Sequence, residues 1–539
     1  MTETALSKDR EPVQHIPQTR LSELRSRLNL PVWGDILVQL GLIVGAFAVV
    51  IVANILLVTG DSATLVVGGV LGAIIAVWVV LRPQIGLYLL AIFTYLNLSD
   101  VLEVGFGIPK INQPLVALIF LSVLANRIVL NRKPFIFRGV EASMALYGVV
   151  IIFSVIFAQV NQDSALDRLI DWLKDFAVLI IIVQLCDEEQ PFKILVWSLI
   201  FSASFLSILS WYQTLTGDIE NTFWGLANVG INQITEEFDS ARVTGPLVDP
   251  NFYAQILIMV FPMALYRAFT GEKTSIRLLG TLCTILIGGT IVFTYSRGGL
   301  LGLVVVLALS VFDRRYKFVK VVFVSVLGFT LVAPFLPPGY LDRVNTLSDF
   351  LPGSGDAAIQ EDSFRGRSSE MTIAMQMFTD NPFLGVGRSN YKELYLQYSA
   401  LLGLDMRLEN RQAHSLYLEM AAEMGLLGLI SFSIMMLVLF VSSFRARAIF
   451  MRLNRPDLDA WTAGVQWGMI GFLTTSIFLH ADYTRYMWLL FAVVAGTSVL
   501  ANTMLQKQRE ADSSGRMLSQ LNSTQTQTIV TPPLTGGAS

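Results

Sequence analysis

His414 is one of only three histidines in this chain of 539 residues, and it stands in RQAHSLYLEMAAEMGLLGLI, where a long polar stretch runs into an apolar one. A neutral imidazole titrates near physiological pH and can accept the proton of a hydroxyl. Arginines recur in the polar segments before it: Arg242 in ARVTGPLVDPNFYAQ, Arg297 in TYSRGGLLG, and Arg365 and Arg367 in SFRGRSSEM. A guanidinium is planar, permanently charged and able to grip phosphate oxygens bidentately. Together they suit deprotonation of a hydroxyl beside a bound anion. Each also has a plainer reading. His414 could be a histidine at a helix entrance, satisfied by a neighbouring carboxylate. Arg297 could snorkel to headgroups while Gly298 and Gly299 permit close helix packing. Arg242, Arg365 and Arg367 could be solvated loop charges, and Arg388, Lys392, Arg407 and Arg411 in the same loop stand among many acids.

The elements that must position these residues are membrane helices. Hydrophobic residues make up 53% of the chain and charged ones 15%, with a mean hydropathy of +0.59, which excludes an ordinary soluble protein. Runs of roughly 17 to 25 apolar residues qualify as spans, and about fourteen are readable. They lie near 36–58, 64–81, 85–99, 113–130, 143–159, 169–186, 192–213, 251–269, 277–295, 298–312, 318–336, 414–442, 461–480 and 486–503, the third and tenth being short. The first follows about thirty polar residues without a small-residue cleavage site, so it reads as an anchor and not a signal peptide. The expectation is an all-α polytopic integral membrane protein with a large, partly helical external loop.

A formal net charge of −3 conceals a local asymmetry. Arg20, Arg25 and Arg27 precede the first span; Arg132, Lys133 and Arg138 follow the fourth; Arg267, Lys273 and Arg277 follow the eighth. Arg314, Arg315, Lys317 and Lys320 follow the tenth, and Arg445, Arg447, Arg452 and Arg455 the twelfth. All fall on one side if both termini are cytoplasmic. The domains then read as a cytoplasmic segment 1–33, spans 1 to 11 over 34–335, an outward loop 336–413, spans 12 to 14 over 414–505, and a disordered cytoplasmic tail 506–539, rich in Ser, Thr, Gln, Gly and Pro from about Ala511.

Two outward loops, about 214–250 and 337–413, exceed what a compact connection needs. In the second, SSEMTIAMQMFTDNPFLGVG predicts a short helix, an Asn-Pro break and a glycine turn, and YKELYLQYSALLG a second helix; together they could form a lid. Asp249 and Pro250 read as N-cap and first residue of span 8. Glu419 and Glu423, four apart inside span 12, are costly in lipid and should face the bundle interior, where one could orient His414 or pair with an arginine. His480, Asp482 and Arg485 gather in the last outward turn, either supporting the site or satisfying one another. Asp171, Lys174 and Asp175 are spaced to salt-bridge along a helix. Asp457-Leu458-Asp459 has the form of a metal-binding D-x-D, but its side of the membrane makes it a helix cap. Cys186 and Cys283 read as small core residues.

Taken in order, RVTGPLVDPN, TYSRGG, GRSSEMTIAMQMFTDNPFLGVG and AHSLYLEMAAEMGLLGL resemble the O-antigen ligase and polymerase superfamily of bacterial envelope polysaccharide assembly. The resemblance covers roughly residues 200–445, and the flanking spans by hydrophobicity alone. It implies a metal-independent, inverting glycosyltransferase that needs no cofactor, in the bacterial inner membrane. Its donor would be a glycan on undecaprenyl diphosphate, its acceptor a glycan or glycolipid, its site periplasmic, its product lipopolysaccharide or exopolysaccharide. Membrane lipids, export proteins and chain-length proteins are the implied partners, and nucleic acid is not. By position, the resemblance assigns the donor diphosphate to Arg242 and Arg297, adds the loop arginine Arg367, and makes His414 the catalytic residue; Glu423, Arg365 and Asp482, singled out above from the residues themselves, are the expected supports. The family's common His-Asn pair is His414-Ser415 here, and the tryptophan that often follows the loop arginine is absent. The competing class is a secondary transporter of a small anion such as bicarbonate. That class should show repeated halves and charges near the bilayer midplane, whereas these charges gather at span ends.

Overall fold

The computed structural model describes residues 63–108, 110–130, 134–235, 238–271, 273–313, 322, 326, 330, 362–404, 410–480 and 485–528. The chain runs through α1 (Ala63–Leu81), α2 (Pro83–Tyr95), α3 (Leu98–Phe106), α4 (Asn112–Leu124), α5 (Val140–Ile156), α6 (Gln162–Leu185) and α7 (Glu189–Thr216). A hairpin of β1 (Asn228–Thr235) and β2 (Phe238–Gly245) follows, then α8 (Pro250–Thr270), α9 (Thr274–Phe293) and α10 (Arg297–Phe312). Two loop helices, α11 (Asp362–Asp380) and α12 (Tyr391–Leu401), precede α13 (Leu416–Arg452), α14 (Pro456–Thr475) and α15 (Arg485–Thr528).

Local sequence explains where several helices begin. Pro83, Pro250 and Pro456 open α2, α8 and α14, where a missing N–H removes no helical bond. As expected, Asp249 caps α8 by accepting from the Asn251 N–H at 2.6 Å. α8 is apolar on every side and correspondingly central, packing on α9, α10 and α14. Among the described residues, α7, α8, α9, α13 and α15 are long and apolar enough to cross a membrane, and a sixth span results if α2 and α3 count as one. That compares with about fourteen runs legible by hydropathy. The first and eleventh of those runs lie wholly or largely outside the described residues, and the third is a helix pair bent by 64° at Asn97, whose φ is +52°.

The structure departs from an all-helical reading in the first outward loop, where β1 and β2 pair antiparallel and set Gly230 opposite Arg242. The second loop has the expected helix, turn and helix. At its far end α13 is not one continuous span. Gly425 adopts φ 61°, ψ −156°, a conformation essentially restricted to glycine, and breaks it. Backbone groups freed by the break pair with the loop: Val386 N–H donates to Ala422 O (2.8 Å), Gly387 N–H to Glu423 O (3.0 Å), Leu426 N–H to Pro382 O (2.7 Å) and Leu427 N–H to Phe383 O (3.2 Å). Irregular backbone inside a membrane protein persists where it is satisfied in this way.

Three smaller expectations change or hold. The tail expected to be disordered from about Ala511 continues as helix to Thr528; its first turns, QKQREA, are good helix formers, and Gln506 donates to Glu510 at 3.0 Å. Asp459 is no helix cap but binds the buried Arg447 (2.9 Å), which also holds Asp313 at 2.6 Å; Asp457 pairs with Arg455 and Lys193. Asp171 does salt-bridge along its helix, to Lys174 at 3.0 Å.

Candidate active site

The start of α13 is tied to the turn after α14. The Leu416 N–H is shared between the Ser476 and Leu479 carbonyls, at 3.0 and 2.9 Å, which brings His414 and His480 side by side. Their rings meet edge to face, 5.4 Å between centroids. His414 itself has φ +42°, an unusual conformation for a non-glycine residue, of the kind that collects at functional sites. Its side chain is 25% exposed, and its Nε2 lies 3.7 Å from Oε2 of Glu370, which is fully buried. The other carboxylate oxygen of Glu370 takes a hydrogen bond from Arg411 at 3.1 Å. Tyr391, the first residue of α12, donates its hydroxyl to the Glu370 carbonyl at 2.7 Å and so holds α11 in place.

Arg242 reaches the same cluster from the other side. With glycine across the hairpin, no side chain stands opposite it on its face of the ladder. Arg242 as a whole is 5% exposed. Its Nε donates to the Thr294 carbonyl at 2.8 Å and an Nη to Asn251 Oδ1 at 3.3 Å. Thr294 closes α9, and three residues on Arg297 opens α10 behind the cap Ser296, whose hydroxyl accepts from Gly299 N–H. Phe252, the neighbour of Asn251, stacks edge-on against His480 at 5.0 Å. The path Arg242, Asn251, Phe252, His480, His414, Glu370, Arg411 is therefore made of direct contacts and backbone neighbours.

Of the residues singled out by sequence, the structure brings Arg242 and His414 to one place, with Arg297 in the adjoining turn. Gly298 faces Phe478, two residues before His480. Arg365 and Arg367 sit in the first turns of α11, Arg367 one turn before Glu370; only their backbone is described. Asp482 lies outside the described residues. Glu419 and Glu423 are both buried, at 1% exposure. Glu423, however, is engaged elsewhere: it meets Arg388 at 3.5 Å and accepts from the Tyr391 N–H at 3.3 Å. It braces the loop, and the carboxylate beside His414 is Glu370. Sequence reading missed Glu370, gave Arg411 no role beyond that of a loop charge, and left His480 open between supporting the site and belonging to a self-satisfied cluster.

Burial first, and His414 second, push the His480 imidazole down to about 3. It therefore stays neutral at physiological pH and adds no positive charge beside His414. An unfolded histidine takes up its proton near 6.5. Between those values the unfolded chain binds the extra proton, so stability falls as pH drops from about 6.5 toward 3. Thermal unfolding of the detergent-solubilised protein should show this loss, and His480→Phe should flatten it; an unchanged slope in that variant would remove His480 as its source.

These features define a helical membrane protein with a preorganised cluster of arginines, a carboxylate and histidines, walled by two structured loops. A family model described as O-antigen ligase matches residues 282–433, a stretch that contains Arg297, Glu370, Arg411 and His414. Residues 282–433 thus carry the sequence pattern of the O-antigen ligase family, and the apolar helices are those of a membrane protein. No curated protein matches the chain.

Proposed function

We propose that the chain is an inverting glycosyltransferase that moves a glycan from undecaprenyl diphosphate to a sugar hydroxyl of a glycan or glycolipid acceptor, on the periplasmic face, in lipopolysaccharide or exopolysaccharide assembly. The path of contacts and chain neighbours from Arg242 to His414 and Glu370 supports this reading, because it links a guanidinium able to bind an anion with an imidazole able to accept a proton. His414 takes the proton of the acceptor hydroxyl as its oxygen bonds to the anomeric carbon. The bond from that carbon to the diphosphate breaks on the opposite face, and configuration inverts. The electron pair leaves with the diphosphate, where Arg242, Arg297 and Arg367 meet the growing charge. Cations fixed in place before reaction stabilise that state more than the ground state. Glu370 is a positioning residue: its carboxylate orients His414 and favours the imidazolium formed on proton uptake. Both termini are cytoplasmic in this topology.

The deciding experiment supplies purified protein with a carrier-linked oligosaccharide, first alone and then with candidate acceptors. A longer carrier-linked chain identifies a polymerase, and a glycan moved to another acceptor a ligase; neither product under any acceptor overturns the reading. Arg242→Lys keeps the charge but loses the planar fork that serves Thr294 and Asn251 together. Its transfer rate should fall at least about ten-fold with the protein still folded, given about 1.5–3 kcal/mol for a charged hydrogen bond. A rate equal to that of the unaltered protein would remove Arg242 from the site.

A further inference from the structure

At the end of α13 away from His414, a cavity of about 390 Å³ opens between α13, α15 and the segment before α5. Three arginines line it, Arg138, Arg445 and Arg452. All three are exposed, and among the described residues none has a carboxylate within ion-pair distance. The nearest candidate in sequence, Glu141, instead accepts from the Arg138 backbone N–H at 2.9 Å. Arg452 lies in the last turn of α13, where a cation complements the helix dipole, but that accounts for neither Arg138 nor Arg445. Three like charges around one cavity repel unless an anion is shared among them.

The surface next to the cavity says what kind of anion. Leu437, Val441 and Phe444 are exposed large hydrophobics at helical spacing on α13, and Arg445, Ala448 and Arg452 continue the same stripe. The stripe is apolar toward the middle of the span and basic at its end. Ser442, Ser498 and Asn502 add polar groups at the boundary. An apolar track capped by guanidiniums matches a molecule with acyl chains below and a phosphate above, and basic pockets between membrane helices hold anionic headgroups in this way.

We infer that this cavity binds an anionic phospholipid, its phosphate shared by Arg138, Arg445 and Arg452 and its acyl chains laid along Leu437, Val441 and Phe444. The site lies at the opposite end of α13 from His414 and is independent of the transfer reaction proposed above. The test uses the full chain purified in neutral detergent and titrated with phosphatidylglycerol, with phosphatidylcholine and with inorganic phosphate, reading the melting temperature. Phosphatidylglycerol should raise it saturably and the other two should not. In the triple variant R138Q/R445Q/R452Q the half-saturating phosphatidylglycerol concentration should rise by at least ten-fold, while the melting temperature in phosphatidylcholine stays that of the unaltered protein. Should the triple variant not fold, R445Q and R452Q alone should each weaken binding about five-fold. An equal response to phosphatidylcholine, an equal response to inorganic phosphate, or unchanged phosphatidylglycerol binding in the variants would each overturn the inference.

Discussion

His414→Ala should leave a folded protein in the membrane and lower glycan transfer by about a hundred- to ten-thousand-fold, the range a positioned general base contributes. The structural part of this expectation rests on what holds the site together. The start of α13 is pinned by the Leu416 N–H to two carbonyls, and α11 by the Tyr391 hydroxyl; neither needs the imidazole. With the base removed, Glu370 keeps Arg411 as its partner at 3.1 Å, so no buried carboxylate is stranded. Rate and folding therefore separate in this variant. The measurement is turnover of a carrier-linked oligosaccharide beside a thermal melt. Full activity with a normal melt would end the assignment of His414 as base, whereas loss of both would show a structural role.

Gly425→Ala should be more damaging to the fold than any single site variant. Gly425 lies in a region of backbone space closed to alanine, which alone costs about 1–3 kcal/mol. An added Cβ would also overlap the Phe383 carbonyl carbon and its oxygen, which are backbone and cannot swing aside. Relief requires the loop to lift from α13, breaking four backbone hydrogen bonds worth about 1 kcal/mol each. Gly385→Ala should act alike, since its Cβ would meet the backbone of Ala422 and Glu423. Both variants should lose the folded loop, visible as new protease cleavage between α11 and α12, and transfer should go with it. Either alanine variant with normal protection and normal transfer would show that the break is not the anchor.

Legibility from sequence followed the range of the interaction. The Asp249-Pro250 start of α8 was plain because a cap and its N–H are two residues apart. α11 and α12 were plain because amphipathic spacing, an Asn-Pro break and glycines are local signals. That Arg242 and His414 belong together emerged only from a resemblance spread over four blocks. The contacts joining them run through Asn251, Phe252 and His480, and no periodicity encodes them. Glu370 was missed because its partners lie 41 and 44 residues away and its own helix offered several acids of equal standing. Glu423 drew attention instead, being a carboxylate in an apolar run, and that instinct was right about burial and wrong about the partner. The break at Gly425 was hidden for a related reason. MGLLGL reads as an uninterrupted apolar stretch, and hydropathy carries no information on φ.

The seam between residues 382–387 and 422–427 is stitched by four main-chain hydrogen bonds, and the Glu423 carboxylate adds Arg388 and the Tyr391 N–H just beyond it. Apart from Glu423, side chains there can change provided Gly385, Gly387 and Gly425 remain, because the four seam bonds join backbone groups. Chain length cannot. One residue inserted or deleted between Pro382 and Gly387 would shift every donor past its acceptor and turn α11, with Glu370, away from His414. Natural variation at this seam should therefore run through substitutions, with gaps confined to the stretches on either side.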